Sequence, residues 1–547
     1  MTLIWNGLIV DGTGKPGFLG DLIVEGERVV EVVAASTAID GDRRQSTALY
    51  GDRRQSFDLV IDATGCLVTP GFIDAHTHSD AYLVVEPDAP SKISQGVTTE
   101  VNGQCGGSVA PRYGEARLSS DWAAVLGERL TWRSLAEYRV ALDAAHPAVN
   151  TVQFIGHNTL RSSVMGYAAR PATPDELRAM VALLERSLDE GGWGLSTGLI
   201  YQPGRYSTPD EVTALAAAAA ARGGLYATHM RSEGDAILEA IDEVLALVKA
   251  TGIRAEISHL KTSGRRNWHK IDAVLEKIGR AVDAGLLLGS DRYPYCAAGT
   301  DLDIVLPDWA QEGAAPAEME RLKDAGLRAK IIDEINASGR DWNEVMIGGT
   351  WSDATRDCSG RRVAEIVGAT AVDGSRQPST AAGSPGELVC SILQADGCKT
   401  GAFFFGMSED NLAKIYSQPW IVPGSDASLR APWGPLGKDH PHPRAYGTMP
   451  EFYRRVRALG FGREATIARM TAVPARRFGI RDRGVLAAGA FADVAIWRED
   501  AFAAMATYSD PHQFTGGVRC VMVNGAVSYR DGSFTGHRAG RFLEREL

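Results

Sequence analysis

Two histidines one residue apart, His76 and His78, sit in GFIDAHTHSD directly after an apolar run. Alternate side chains of an extended segment share a side, so both imidazoles can reach one metal ion. Two more, His229 in LYATHM and His259 in AEISHLK, each close an apolar run of strand type. Taken singly, such residues are more often hydrogen-bonded core histidines. As four histidines at strand ends they are expected to ligate a metal, and neutral imidazole is a common zinc ligand. Asp426, in PWIVPGSDAS, closes another such run. Its carboxylate could touch the metal and handle the proton of a nearby water, with helix N-capping as the alternative role.

The elements that must position these groups alternate. Near-continuous apolar runs, TVQFIG, GLSTGLIY, LYATHM, RAEISHL and PWIVPGSD, suit parallel strands buried on both faces. The helices between them carry start signals. TPDE occurs at Thr173–Glu176 and at Thr208–Glu211, each with Thr at the N-cap, Pro in the first turn and Glu at the capping-box position. Gly191 and Gly223 stop the runs that follow. Repeated βα units predict a (β/α)8 TIM-like barrel over residues 67–483, with a doubly wound sheet as the lesser option. Residues 1–66 and 484–547 instead read as short strands between turns, which predicts one small β-sandwich module formed by both termini. A charge-rich helical stretch around 306–336 predicts an insertion over one barrel face, at about 300–350. GDRRQS occurs twice, at Gly41–Ser46 and Gly51–Ser56, as an expanded polar loop without an assigned role.

Composition narrows the partners. The 547 residues carry a net charge of −11, which argues against nucleic acid, because binding phosphates needs clustered Lys and Arg. No apolar run approaches the roughly 18 residues a membrane helix needs. The start, MTLIWNGLIVDGTG, lacks the charge and length pattern of a secretory signal. Seven scattered cysteines do not form a disulfide framework. A soluble cytoplasmic protein acting on a small molecule is the expectation.

His76-x-His78 after the first barrel strand, single histidines on the fifth and sixth, and an Asp on the eighth resemble the amidohydrolase superfamily. Many of its binuclear members bridge two metals with a carboxylated Lys on the fourth strand, where this chain has GLSTGLIY. NGQCGGS, at Asn102–Ser108, is similar instead to the N-acyl-D-amino-acid deacylases, in which that Cys ligates metal. STGLIYQPG, THMRSEG, SHLK, DRYPY and HPHPRAYGT match the same family, so the resemblance runs from about residue 68 to 450. It implies a tightly bound Zn2+ on Cys105, His229 and His259, and a second, weaker site on His76, His78 and Asp426. It further implies that Lys261, Tyr293 and Arg444 clamp the carboxylate of the substrate. The guanidinium fork fits such a group well. Asp426 is then expected to take a proton from the attacking water and return it to the leaving nitrogen. His157, in FIGHNTLR, could hold the oxyanion or make a structural hydrogen bond. The expected reaction is hydrolysis of an N-acyl-D-amino acid, the D preference resting on the resemblance alone. Alternatives are a dipeptidase for peptides ending in a D residue, a cyclic-amide hydrolase, and a non-catalytic binding protein. Two departures bear on specificity. YPYCAAGTDL has Gly299–Thr300 where the family often has Ser-Thr, and GSDAS replaces GSDG.

Overall fold

The computed structural model describes residues 1–34, 57–369 and 383–545; both copies of GDRRQS lie outside the described residues. Eight short strands form the centre. They are Phe72–Asp74, Val97–Asn102, Asn150–Gln153 continuing into Ile155–Gly156, Gly194–Gly198, Leu225–His229, Arg254–Ile257, Leu288–Arg292 and Ile421–Pro423. Each pairs in parallel with the next. The last returns to the first, since Thr77 bridges Ala427 and the Ala75 amide donates to the Pro423 carbonyl at 3.1 Å. That closure makes a (β/α)8 barrel, not an open doubly wound sheet. Its interior is packed rather than hollow, with Ile73, Val101, Val152, Phe154, Leu225, Ala227 and Val422 meeting Phe478 and Ile480 in one cluster.

Helices begin where the capping signals stand. Thr173 accepts from the Glu176 amide while Glu176 accepts from the Thr173 amide, a complete capping box on Pro174–Asp189. The second TPDE is half of one. Thr208 accepts from the Glu211 amide, but the Glu211 carboxylate turns inward to the buried Arg161 and His157. A buried guanidinium without a partner costs more than half a capping box gains.

The termini do build one module. Among the described residues nine strands form one continuous sheet, in which Leu67–Pro70 joins Thr2–Ile9 to Val494–Trp497. Strand alternation divides its side chains between two cores. Val494 and Ile496, with Cys520 and Met522, fill the module's own cluster. Ala495 and Trp497, with Val521 and Val523, pack against the barrel cluster beside Phe72 and Phe502.

The insertion lies between the seventh and eighth barrel strands and runs on past residue 350. It holds helices and also a three-stranded antiparallel sheet, with Gly401–Phe404 between Ala298–Asp301 and Val345–Ile347. An apolar cluster of its own, including Leu302, Ile331, Ile347, Leu388 and Ile392, makes it a self-supporting wall over the barrel mouth. Among the described residues, no helix is long and apolar enough to cross a membrane.

Candidate active site

All six expected ligands meet where the strands end. Donor atoms of His76, His78, Cys105 and Asp426 lie within 4.8 Å of one another, and so do those of Cys105, His229 and His259. The Cys105 sulfur therefore belongs to both sets. It lies 3.3 Å from His76 Nε2 and 3.3 Å from His259 Nε2, while His78 Nε2 stands 3.1 Å from Asp426 Oδ1. His76 and His78 lie just past the strand rather than on it, since the first strand ends at Asp74.

The backbone is bent to bring these atoms together. Cys105, His259 and Asp426 all have left-handed φ, at 53°, 36° and 50°, conformations that cost on the order of 1–3 kcal/mol each for such residues. Neighbouring bonds hold them there. The His259 amide donates to Asp291 Oδ1 at 2.9 Å, and the Asp426 amide to the His76 carbonyl at 2.8 Å. The glycines of NGQCGGS serve the same end, because a Cβ at Gly103 would collide with the Phe154 carbonyl. Gly198, on the fourth strand, packs against the Cys105 carbonyl with no room for a Cβ. The Cys105 loop thus packs directly against the fourth strand.

Charge is concentrated around the sulfur. Burial alone would raise the Cys105 thiol, but the imidazoles of His76 and His259 bring it well below its ordinary value. Burial likewise opposes the Asp426 charge, yet Arg444 and then His259 hold that carboxyl well below the usual range. Neither ring nitrogen of the buried His229 has a hydrogen-bond partner among the described residues. That imidazole, its Nε2 3.5 Å from Glu233 Oε2 and its ring against His259, shares with Cys105 and His259 a donor set that a divalent zinc-type ion satisfies. The residues present fit such a metal.

Four residues outside the expected set support the ligands. Asp291 Oδ2 accepts from His76 Nδ1 at 3.2 Å, which leaves Nε2 turned toward the sulfur. Glu233 accepts from Lys261 and lies 2.9 Å from His259 Nδ1. Lys92, fully buried, donates to Asp74 at 2.9 Å, to Ser425 Oγ at 2.9 Å and to the Ala427 carbonyl at 3.0 Å, with Glu100 3.2 Å away. It thereby ties down both neighbours of Asp426. Glu233 and Asp291 fall within the motifs THMRSEG and DRYPY, whereas no motif marks Lys92 or Glu100.

The expected clamp lines the same cavity, a space of about 460 Å³ that His78, Cys105, His229, His259 and Asp426 also border. Lys261 Nζ lies 2.7 Å from His259 Nδ1, and Arg444 Nη1 donates to Asp426 Oδ2 at 2.7 Å. Tyr293 lies under the Arg444 guanidinium, 4.7 Å from ring centroid to carbon, and its buried hydroxyl has no partner among the described residues. Tyr295 does not border the cavity and packs on His442 instead. His157 is also absent from the cavity wall. Its Nε2 lies 2.8 Å from Glu211 Oε1, which gives it the structural role and leaves it out of reach of an oxyanion.

A closed barrel whose strand ends gather two overlapping metal-ligand sets beside a guanidinium–carboxylate pair is the architecture of a metal-dependent hydrolase. The chain belongs to the amidohydrolase family, whose sequence profile matches residues 59–529. It is 34% identical over 553 residues to an N-acyl-D-glutamate deacylase of Alcaligenes xylosoxydans, covering 100% of this chain and 96% of that one. To the D-aminoacylase of the same organism it is 33% identical, covering 99% of this chain and 97% of that one. The crystal structure of an N-acyl-D-glutamate deacylase from Bordetella bronchiseptica, with zinc and a phosphonate mimic of the tetrahedral intermediate, superposes with a TM-score of 0.80. It is 32% identical, over 100% of this chain and 99% of that one.

Proposed function

We propose that this chain hydrolyses the amide bond of N-acyl-D-amino acids, releasing a carboxylic acid and a free D-amino acid, with zinc as its metal. The observation that carries the reading is the contact of cations with the ligand set itself. Lys261 lies against His259, and Arg444 against Asp426. A carboxylate one carbon from the scissile nitrogen can reach such groups while its amide faces the metal. Cyclic amides present no such carboxylate. The D assignment and the choice of zinc are supported by the names and contents of the deacylases this chain is similar to.

Lys261, Arg444 and the Tyr293 hydroxyl receive the α-carboxylate and fix the amide across the barrel mouth. A zinc ion held by Cys105, His229 and His259 supplies Lewis acidity and makes nearby water more acidic; His76, His78 and Asp426 offer a second, weaker site. Asp426, kept ionised by Arg444, accepts a proton from the attacking water as its oxygen joins the acyl carbon. It returns that proton to the nitrogen as the C–N bond breaks, so the products are a neutral amine and a carboxylic acid. The seven free cysteines suit a reducing cytoplasm, where we place the protein.

The test is turnover of matched N-acetyl-D- and N-acetyl-L-amino acids by zinc-loaded protein. Release from the D series alone is expected. Release from the L series, or from neither while dipeptides ending in a D residue are cut, would overturn the substrate assignment.

A further inference from the structure

If the deacylase reading holds, the α-carboxylate occupies Arg444, Tyr293 and Lys261, and the surface beside that clamp decides which side chain the D residue carries. That surface belongs to the insertion. Arg444 Nη2 donates to the Gly299 carbonyl at 3.1 Å. Across the antiparallel ladder Gly299 pairs with Phe403 and Thr300 with Ala402, and all four border the cavity. A Cβ at Gly299 would stand 3.3 Å from Arg444 Nη2 and 3.5 Å from Phe403 Cδ1. The φ of Gly299 is outside the left-handed region, so what its missing side chain provides is space between guanidinium and ring, not backbone freedom. Phe403 is backed edge-on by His442 at 5.1 Å and by a tilted Tyr508 ring at 6.1 Å, so the wall is stiff.

Its charge is as telling as its shape. Both clamp cations already face carboxylates, Arg444 with Asp426 and Lys261 with Glu233. Of the cations elsewhere on the cavity lining, Arg430 is bound to Asp439 at 2.8 Å, while Arg117 stands over Tyr167 and Lys399 over Trp351. The titratable residue next along the wall is Asp301, whose carboxyl burial and then the neighbouring Asp303 raise well above the usual range. A second substrate carboxylate would lose its water on this wall and meet neutral surface, whereas an apolar side chain would lose nothing. We infer that this chain selects N-acyl-D-amino acids with uncharged, apolar side chains, and that the wall of Gly299, Thr300, Ala402 and Phe403 is its side-chain subsite.

The experiment compares kcat/KM of zinc-loaded protein for N-acetyl-D-leucine, -D-phenylalanine, -D-glutamate and -D-lysine. The first two should exceed the last two by at least ~10-fold, the lower end of what pocket contacts discriminate. Thr300→Lys should move the leucine-to-glutamate ratio ~10-fold or more toward glutamate, and Gly299→Val should lower phenylalanine relative to N-acetyl-D-alanine. Equal or higher turnover of the charged substrates overturns the inference. So does a glutamate preference that vanishes in Lys399→Met, since Lys399 stands over Trp351 elsewhere on the cavity lining. No turnover of any D substrate overturns the deacylase reading and the inference with it. The same apolar preference found only in the L series would overturn the stereochemistry and support the wall.

Discussion

Lys92→Met is the sharpest perturbation the site offers. The side chain is fully buried, and its ammonium balances two buried carboxylates, Asp74 and Glu100. Met fills a similar volume, so the change removes charge and hydrogen bonds and little packing. Removing one partner of a buried ion pair costs about 3–5 kcal/mol, because the charge left behind stays uncompensated. Against total stabilities of about 5–15 kcal/mol that is a large fraction. Lys92 also restrains Ser425 and Ala427, on either side of the left-handed Asp426. Displacing Asp426 by ~1 Å would cost ~100-fold in turnover. Two measurements separate the effects. The thermal midpoint of zinc-loaded protein should fall sharply in Lys92→Met, and should recover in part when Glu100→Gln removes one of the stranded carboxylates. In the surviving folded enzyme kcat should fall far more than KM rises, because the proposed α-carboxylate clamp is untouched. A Lys92→Met protein with wild-type midpoint and wild-type kcat would refute this account of how Asp426 is held.

Asp426→Asn should keep most of the bound zinc, read by elemental analysis, while kcat falls by ~100- to 10,000-fold, the usual worth of a general acid–base. Cys105→Ala removes the atom common to both donor groups, so zinc content should drop for both sites together; loss of one site alone would show that the sulfur does not serve both. Chelation should abolish activity and lower the thermal midpoint, with added zinc restoring both, since a ligand at ~100 times its Kd contributes ~2.7 kcal/mol. In the insertion, burial pushes Asp303 up to about 8 and Glu318 up to about 7. Carboxyls with raised folded pKa values stabilise when protonated, so that stability is present at acidic pH and lost as pH rises through about 7 to about 8. Limited proteolysis should therefore cut the insertion faster at pH 9 than at pH 6, and Glu318→Gln should flatten the difference.

The candidate metal ligands were legible as a group because strand ends are marked in sequence by where an apolar run stops. His76, His229, His259 and Asp426 each follow such a run. Cys105 was legible through its glycines, which the structure explains by the close approach of Phe154 and Gly198. What escaped was partnership across the chain. Lys92 reads as one more lysine until strands one, two and eight close around it, and Glu211 reads as a capping-box acid until Arg161 is seen to need it. The insertion was half legible for the same reason. Its helices have local signals, but the pairing of Ala298–Asp301 with Gly401–Phe404 spans residues that no local pattern connects.

The strand Leu67–Pro70 lies between Thr2–Ile9 and Val494–Trp497, so strands made more than four hundred residues apart share one sheet. During synthesis this has a consequence in time. Everything between Pro70 and Val494 must leave the ribosome before that strand meets its second neighbour. At ~5–20 residues per second the wait is on the order of tens of seconds. Throughout it, one edge of Leu67–Pro70 is open to any other strand that passes. Trp497, which closes the barrel's apolar cluster beside Phe72, arrives only at the end. Nascent chains of this protein are therefore expected to need shielding until Val494–Trp497 is made, and a truncation before it should yield aggregate rather than a smaller working barrel.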